Sequence, residues 1–526
     1  MILTDRVIID GQTLTIEAVV QVAREFAAVE LSTDAPARMQ ASRDIVEEIT
    51  AGHSRAVYGV NTGFGSLKDV MIAPSDLLRL QRNLLMSHAA GMGEPLSVEV
   101  VRAAMALRAN ALAKGFSGVR PVVVQTLVEM LNRRVHPYIP AQGSVGASGD
   151  LAPLSHLALV LSKPADDDED DPRSSGEVLG PPGERVTGKA AMEQAGIPRV
   201  VLSAKEGLAL NNGVQISTAL ALLALADAER VARLADLACA MTVEAVLGAP
   251  DAFRPEVHAQ RPMKGQRASA AMIARHLQGS GMAGSDVDRI QDGYSIRCAP
   301  QVHGAARDAL AQARAMLAIE VNSATDNPLV FPREFGSLTI SAGQFHGEPV
   351  AMAAEMIKLA VAELVSISER RTFRLLTKAL SFGLPPLLAP PDRPGLGLLA
   401  VQFTAAGLAA ECKHLAHPAV IDSIPTCEDQ EDHVSMSPIA ARAARRLAAN
   451  AAYVLAAELF CAARALELRR RRRPIQLGQA TARCLERLQP VLDLDVHGAL
   501  PATCLETVRD LIAGGSFDAL LAEEAS

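Results

Sequence analysis

Residues 143–156 read Gly-Ser-Val-Gly-Ala-Ser-Gly-Asp-Leu-Ala-Pro-Leu-Ser-His, and the Ala147-Ser148-Gly149 at their centre can become an electrophile. A backbone nitrogen can attack a carbonyl two residues upstream only where side chains are absent or tiny. Gly149 would supply the nitrogen and Ala147 the carbonyl. Closing that five-membered ring and losing water twice, once from Ser148, leaves an exocyclic methylidene on an imidazolone. None of the twenty ordinary side chains is so electrophilic. Gly143, Gly146, Ala147 and Gly149 supply the tight bend, and Asp150 follows directly, where it could shuttle protons. A serine-hydrolase reading fails on spacing. A nucleophile elbow needs glycine two before and two after the serine; Gly146 fits and Asp150 does not.

Three further segments carry reactive side chains. Tyr58-Gly59-Val60-Asn61-Thr62-Gly63-Phe64-Gly65 is a glycine-spaced loop headed by one of only four tyrosines in the chain. A tyrosine ordinarily ionises near pH ~10, so as a base it needs surroundings that favour its phenolate; as a turn residue it would only cap a core. Gln291-Asp292-Gly293-Tyr294-Ser295-Ile296-Arg297 places a guanidinium, whose planar fork suits a carboxylate, next to a second tyrosine. In an ordinary polar turn such an arginine would make a surface ion pair. Lys205-Glu206-Gly207-Leu208-Ala209-Leu210-Asn211-Asn212-Gly213 puts two side-chain amides before a glycine.

Taken together, these segments resemble the aromatic amino acid ammonia-lyases, the enzymes that use 4-methylideneimidazole-5-one, over nearly the whole chain. The resemblance implies that this prosthetic group forms from Ala147, Ser148 and Gly149. It also implies that Tyr58 takes the substrate β-proton and that Asn212 hydrogen-bonds the electrophile's carbonyl oxygen. Arg297 anchors the substrate carboxylate, with Gln291 and Tyr294 close to the electrophile. Phe345, in Gln344-Phe345-His346-Gly347-Glu348-Pro349, lines the pocket. The chemistry is coherent. Eliminating ammonia requires an activated amine, a base for the β-proton and a grip on the carboxylate.

Two positions bear on the substrate. Ser87-His88-Ala89-Ala90-Gly91 and Gln430-Glu431-Asp432-His433-Val434-Ser435-Met436 have the form found in the histidine-acting branch. A carboxylate at Glu431 suits a ring with N–H groups and would be a desolvation penalty beside a phenyl ring. The expected reaction is L-histidine to urocanate, a step of histidine breakdown. The alternative is a lyase or 2,3-aminomutase acting on a modified histidine or another aromatic amino acid. Departures from the family pattern at Gly395–Leu399, Ala342–Gln344 and Gly293 touch the pocket rather than the lyase chemistry.

The elements that must hold these groups read as mainly α. Hydrophobic residues make up 49% of 526, aromatics only 3%, and tryptophan is absent. A core of Ala, Leu and Val favours helices packed closely through small side chains. Helical periodicity covers about 206–248, 302–323, 348–380, 400–416 and 437–468. The expectation is a long-helix bundle over 206–526 with a smaller mixed N-terminal domain, 1–205, carrying the reactive loop. A small hairpin around Asp10-Gly11 is expected within 6–14. The acids Asp166–Asp171 read as a solvated loop and Arg469–Arg473 as a helix terminus.

A net charge of −8 argues against a nucleic-acid partner. Seven cysteines without paired spacing point to reduced thiols in the cytoplasm. Met1-Ile2-Leu3-Thr4-Asp5-Arg6 lacks the features of a signal peptide, and no apolar run is long enough to span a bilayer. His414-x-x-His417 lacks a third ligand, so no metal is expected. The resemblance implies a homotetramer whose active sites combine loops of three subunits. A catalytically dead scaffold would lack Ser148, Tyr58 or Arg297, and all three are present. The fumarase-type lyase loop is missing, since Gly279-Ser280-Gly281-Met282 lacks its proline and lysine.

Overall fold

The computed structural model describes residues 6–52, 56–63, 68, 70–181, 184–390, 395 and 397–521. The first five residues, Phe64 and Gly65 of the tyrosine loop, part of the Gly/Pro-rich stretch and Leu396 lie outside these. The fold is mainly α. Its longest helices are Gln215–Ala245, Ala299–Glu320, Glu348–Leu376 and Ser437–Arg470. Their buried faces are dominated by Ala and Leu, as along Ala219–Leu225 and Ala456–Leu466. Small side chains let helix backbones approach closely, which is how a chain so poor in aromatics fills its core.

Contacts divide the chain into two units built from discontinuous segments, where the sequence expectation had a single boundary after 205. One comprises the chain up to Leu223 with Arg314–Glu355 and Pro418–Arg442; the other comprises Ala224–Ala313, Met356–His417 and the chain from Ala443. Four of the five boundaries fall one in each of the long helices, and the fifth follows the helix Leu399–Leu415. All described strands belong to the first unit and form two-stranded pairs. The second unit is helical and holds a buried ionic cluster. There Arg371 donates to both oxygens of Glu458, which also accepts from Thr242 and Ser368. Removing one partner of so buried a pair typically costs about 3–5 kcal/mol.

Three expectations are corrected. The hairpin at 6–14 does not form. Val7–Ile9 pairs in parallel with Val29–Leu31 instead, because the Asp10 carboxylate accepts from the backbone N–H groups of Gln12 and Thr13 and turns the chain away. The helix expected over 206–248 is broken. Glu206–Asn211 ends, Gln215–Ala245 begins, and Gly213 between them has φ 147°. The acidic run is only partly solvated, since Asp170 is buried against Arg199 at 2.8 Å and Lys189 at 3.2 Å.

Candidate active site

The reactive loop is held by left-handed backbone at Gly146 (φ 75°), Ser148 (φ 49°) and Gly149 (φ 80°). For Ser148 that conformation costs about 1–2 kcal/mol, a strain the surroundings must over-determine. They do so from two sides. Gly149 bridges to Gly213, and the Asp150 N–H donates to the Gly213 carbonyl at 2.6 Å. A Cβ on Gly149 would collide with that carbonyl oxygen. From the other side, the Met436 N–H donates to the Val145 carbonyl at 2.9 Å, and a Cβ on Gly146 would strike the Ser435 hydroxyl. The loop is thus clamped between the helix break at 212–214 and the segment 435–437.

The helix break also delivers Asn212. Its Nδ2 donates to the Ser148 carbonyl oxygen at 2.8 Å, while its buried Oδ1 has no partner among the described residues. Arg108, fully buried, fixes the break by donating to the Asn212 carbonyl at 2.9 Å, to the Gln215 side chain at 2.6 Å and to the Ala209 carbonyl. Burial lowers the Arg108 pKa to about 10, against the pull of Asp326 and Asp150, so it stays a cation at neutral pH. Asp150 is committed to Ser217, accepting from its N–H at 2.8 Å and its hydroxyl at 2.7 Å. Burial raises the Asp150 carboxyl to about 6, outweighing the hydrogen bonds from Ser217 and the field of Arg108.

These features suit the prosthetic group implied for residues 147–149. The bend is imposed, the ring nitrogen's residue admits no side chain, and the carbonyl that would remain on the ring already has a donor.

The loop forms one wall of a cavity of about 1200 Å³. Tyr58, His88, Ala147, Ser148, Asn212, Phe345, Gln430 and Glu431 all line it. Glu431 faces the loop directly, its Oε1 accepting from the Ser148 hydroxyl at 2.7 Å and its Oε2 from the Thr426 hydroxyl at 2.7 Å. A tight turn holds it there. Thr426 and Glu431 are bridged, and Cys427, Glu428 and Asp429 between them are all left-handed, with φ between 52° and 62°. Gln430 accepts from the Lys68 ammonium at 2.6 Å. The Nδ1 of His88 lies 2.9 Å from the Leu84 carbonyl. A carbonyl only accepts, so Nδ1 carries hydrogen and a neutral ring keeps Nε2 as an acceptor. His346, Glu348 and His433 cluster on the same side, with ligand-type atoms within 4.8 Å of one another.

Gln291, Tyr294 and Arg297 are not among the cavity's lining residues. They lie in the second unit, on and before the short helix Tyr294–Arg297, where Arg297 Nε donates to the Asp292 carbonyl at 2.9 Å. Within the first unit's cavity, Gln291 and Tyr294 are not brought together with the reactive loop. Gln291 is exposed and Tyr294 is 72% exposed.

Residues 14–490 match the model of the aromatic amino acid lyases. The chain belongs to this family. A histidine ammonia-lyase of Gloeobacter violaceus is 48% identical over 98% of this chain and 97% of its own length. Among solved structures, histidine ammonia-lyase from Trypanosoma cruzi superposes with a TM-score of 0.87 at 37% identity, covering 99% of this chain and 96% of that one. Tyrosine aminomutase from Streptomyces globisporus superposes with a TM-score of 0.89 at 35% identity, covering 99% of each chain.

In this aromatic amino acid lyase several site-building residues escaped the sequence reading. Gly213 stands in a quoted motif, and its φ could have been suspected from the two amides before it. Ser435 likewise stands in a quoted motif. Thr426, Ser217 and Arg108 carry no local signal, because their partners lie 5, 67 and about a hundred residues away.

Proposed function

We propose that the chain is a carbon–nitrogen lyase that eliminates ammonia from L-histidine to give urocanate, using 4-methylideneimidazole-5-one formed from its own Ala147, Ser148 and Gly149. That group supplies an electrophilic carbon toward the substrate amine, making it a leaving group. Tyr58, at the cavity wall, takes the β-proton. Asn212 stabilises charge on the oxygen it already contacts. Arg297 grips the substrate carboxylate.

The observation that carries the substrate assignment is the placing of Glu431 and His88 in the cavity that holds Ser148 and Asn212. A protonated imidazole offers one N–H to the carboxylate and its second N–H to the acceptor Nε2 of His88. A phenyl ring would leave both groups desolvated and unpaired.

Gln291, Tyr294 and Arg297 complete the site from another copy of the chain in a homotetramer. Supporting this, Val287 is 90% and Ile290 98% exposed on the segment that leads to them. Apolar side chains presented together in this way are suited to burial against a partner. The working compartment in this reading is the cytoplasm. All seven cysteines are free, as a reducing environment requires, and no described helix is long and apolar enough to cross a membrane.

A substrate panel of histidine, its methylated and thiolated derivatives, phenylalanine and tyrosine, followed by ultraviolet absorbance and by amine analysis, tests the reading. Urocanate and free ammonia from histidine are expected. Similarity to an aminomutase keeps one competing outcome in the panel, an amine retained on the β-carbon. That product, or turnover confined to another amino acid, refutes the assignment.

A further inference from the structure

We propose that Glu431 catalyses the second dehydration that builds the electrophile, by protonating the departing Ser148 hydroxyl, before it serves in substrate recognition. The inference rests on the proposed formation of the prosthetic group from residues 147–149 and assigns a residue to one of its steps. Its ground is that Glu431 is the one hydrogen-bonding partner found for the Ser148 hydroxyl among the described residues, at 2.7 Å.

The chemistry divides into two losses of water. Ring closure joins the Gly149 nitrogen to the Ala147 carbonyl carbon. The water released carries the Ala147 oxygen with the amide hydrogens of Ser148 and Gly149. The second water consists of Ser148 Oγ, its own hydrogen and one proton more. Breaking the Cβ–Oγ bond requires that extra proton at Oγ, because hydroxide is a poor leaving group. Glu431 delivers it from Oε1 as the neutral acid, the hydrogen bond between Oε1 and Oγ then running opposite to the one in the structure, where the hydroxyl donates. The electron pair of the Ser148 Cα–H bond becomes the Cα–Cβ double bond, the Cα proton passes to water, and water resupplies the carboxyl. The sum is one molecule of water lost.

Asp150, the carboxylate next in sequence, is poorly placed for this step. Both its oxygens are occupied by Ser217, so it is tied to the first turn of the helix Gln215–Ala245 rather than to the hydroxyl. Glu431 is anchored instead through its second oxygen by Thr426 and by the left-handed turn at 427–429. Its first oxygen stays aimed at Oγ at little further entropic cost. Once the hydroxyl has left, Glu431 Oε1 loses the donor it holds here and is free to accept from a substrate ring N–H. One carboxylate is used twice, and its second use is enabled by the first.

The test is intact-protein mass, read independently of turnover, on untagged wild type and on Glu431→Gln, Glu431→Ala and Glu431→Asp. Wild type should be lighter than its encoded mass by about 36 Da, two waters. Glu431→Gln and Glu431→Ala should stop at about 18 Da, one water, with Ser148 retained in the cyclised peptide and the absorbance of the conjugated alkene missing. Glu431→Asp should recover part of the full loss. Loss of both waters in both variants overturns the proposal. So does loss of none, which would place Glu431 in ring closure or folding. If the glutamate variants do not fold, Thr426→Val provides the same test, since an unanchored carboxylate should give freshly made protein that contains the one-water species; complete two-water loss there overturns the proposal. A wild type lacking the full loss would instead refute the prosthetic-group reading itself.

Discussion

Asn212→Ala offers the sharpest separation of chemistry from folding in this site. The side chain makes one hydrogen bond, from Nδ2 to the Ser148 carbonyl oxygen at 2.8 Å, and its other polar atom is already unpartnered. Truncation therefore removes one neutral hydrogen bond from the resting state, worth about 0.5–1.5 kcal/mol. It also removes one unsatisfied buried atom, which offsets part of that. The backbone at 212 is held independently by Arg108, so the helix break should persist and stability should change by about 1 kcal/mol or less. Turnover should respond far more. In the proposed reaction the oxygen that Asn212 contacts would be where negative charge gathers. Removing one preorganised donor from such an oxygen typically costs about 2.7–4 kcal/mol, or roughly 10²–10³ in kcat. The assay is initial-rate urocanate formation, with intact mass confirming that maturation is complete and a denaturant titration measuring stability. A fully matured Asn212→Ala with kcat within about fivefold of wild type would refute the assigned role. A hundredfold loss matched by an unfolding-scale loss of stability would refute the separation between the two effects.

Tyr58→Phe should preserve KM and lower kcat by about 10²–10⁴, the usual worth of a positioned base; near wild-type kcat moves the role elsewhere. Arg297→Lys should raise KM at least about tenfold, because an ammonium cannot copy a two-pronged grip, and an unchanged KM removes Arg297 from the carboxylate site. His88→Leu should lower kcat/KM for histidine and admit some phenylalanine, since the apolar ring no longer strands a polar partner; an unmoved ratio refutes the ring contact. Asp150 is buried with its carboxyl at about 6 against 3.8 in a free chain. The unfolded chain ionises first, so this group's contribution is full below pH ~4 and declines by ~3 kcal/mol as pH rises through ~6. Asp150→Asn should flatten that decline in urea titrations across the same range, and a difference from wild type that stays constant with pH refutes the burial argument.

How much of this was legible beforehand depends on how far each interaction reaches along the chain. The reactive tripeptide was readable because ring closure depends on three consecutive residues, and small size is a property of sequence. The helices were readable because their signal repeats every few residues. The interruption at Asn212–Val214 was not, because Leu208–Leu210 and Ile216–Leu220 continue the same apolar pattern across it. Only the bridge from Gly149 to Gly213 and the Arg108 side chain make the break worthwhile, and both come from distant positions. The hairpin expected at Asp10-Gly11 failed for a related reason. The dipeptide signals a turn but not the strand that follows, and Val29–Leu31 outcompeted Gln12–Leu14 for the edge of Val7–Ile9. Gln291, Tyr294 and Arg297 mark a different limit. Their motif is explicit, yet the cavity that holds the reactive loop lies in the other unit and is lined without them.

The clamp around the reactive loop explains why these distant contacts matter. A flexible Ala147-Ser148-Gly149 would lose several kilocalories per mole of backbone entropy on adopting one fixed bend, at about 1–2 kcal/mol per residue fixed. Here that cost is met during folding. The Gly213 carbonyl holds the Asp150 N–H, Met436 holds the Val145 carbonyl, and Ser148 is kept left-handed between them. The same two anchors carry the chemistry's assistants. The helix break that supplies the Gly213 carbonyl also supplies Asn212, and the segment that ends in Met436 begins with the turn that aims Glu431. The loop therefore cannot be bent without its carbonyl meeting Asn212 and its hydroxyl meeting Glu431. Loosening either anchor should slow formation of the electrophile and weaken its later use together. This is why substitutions at Gly213 or Ser435, neither of which lines the cavity, should appear as maturation defects in the intact mass rather than as simple losses of substrate affinity.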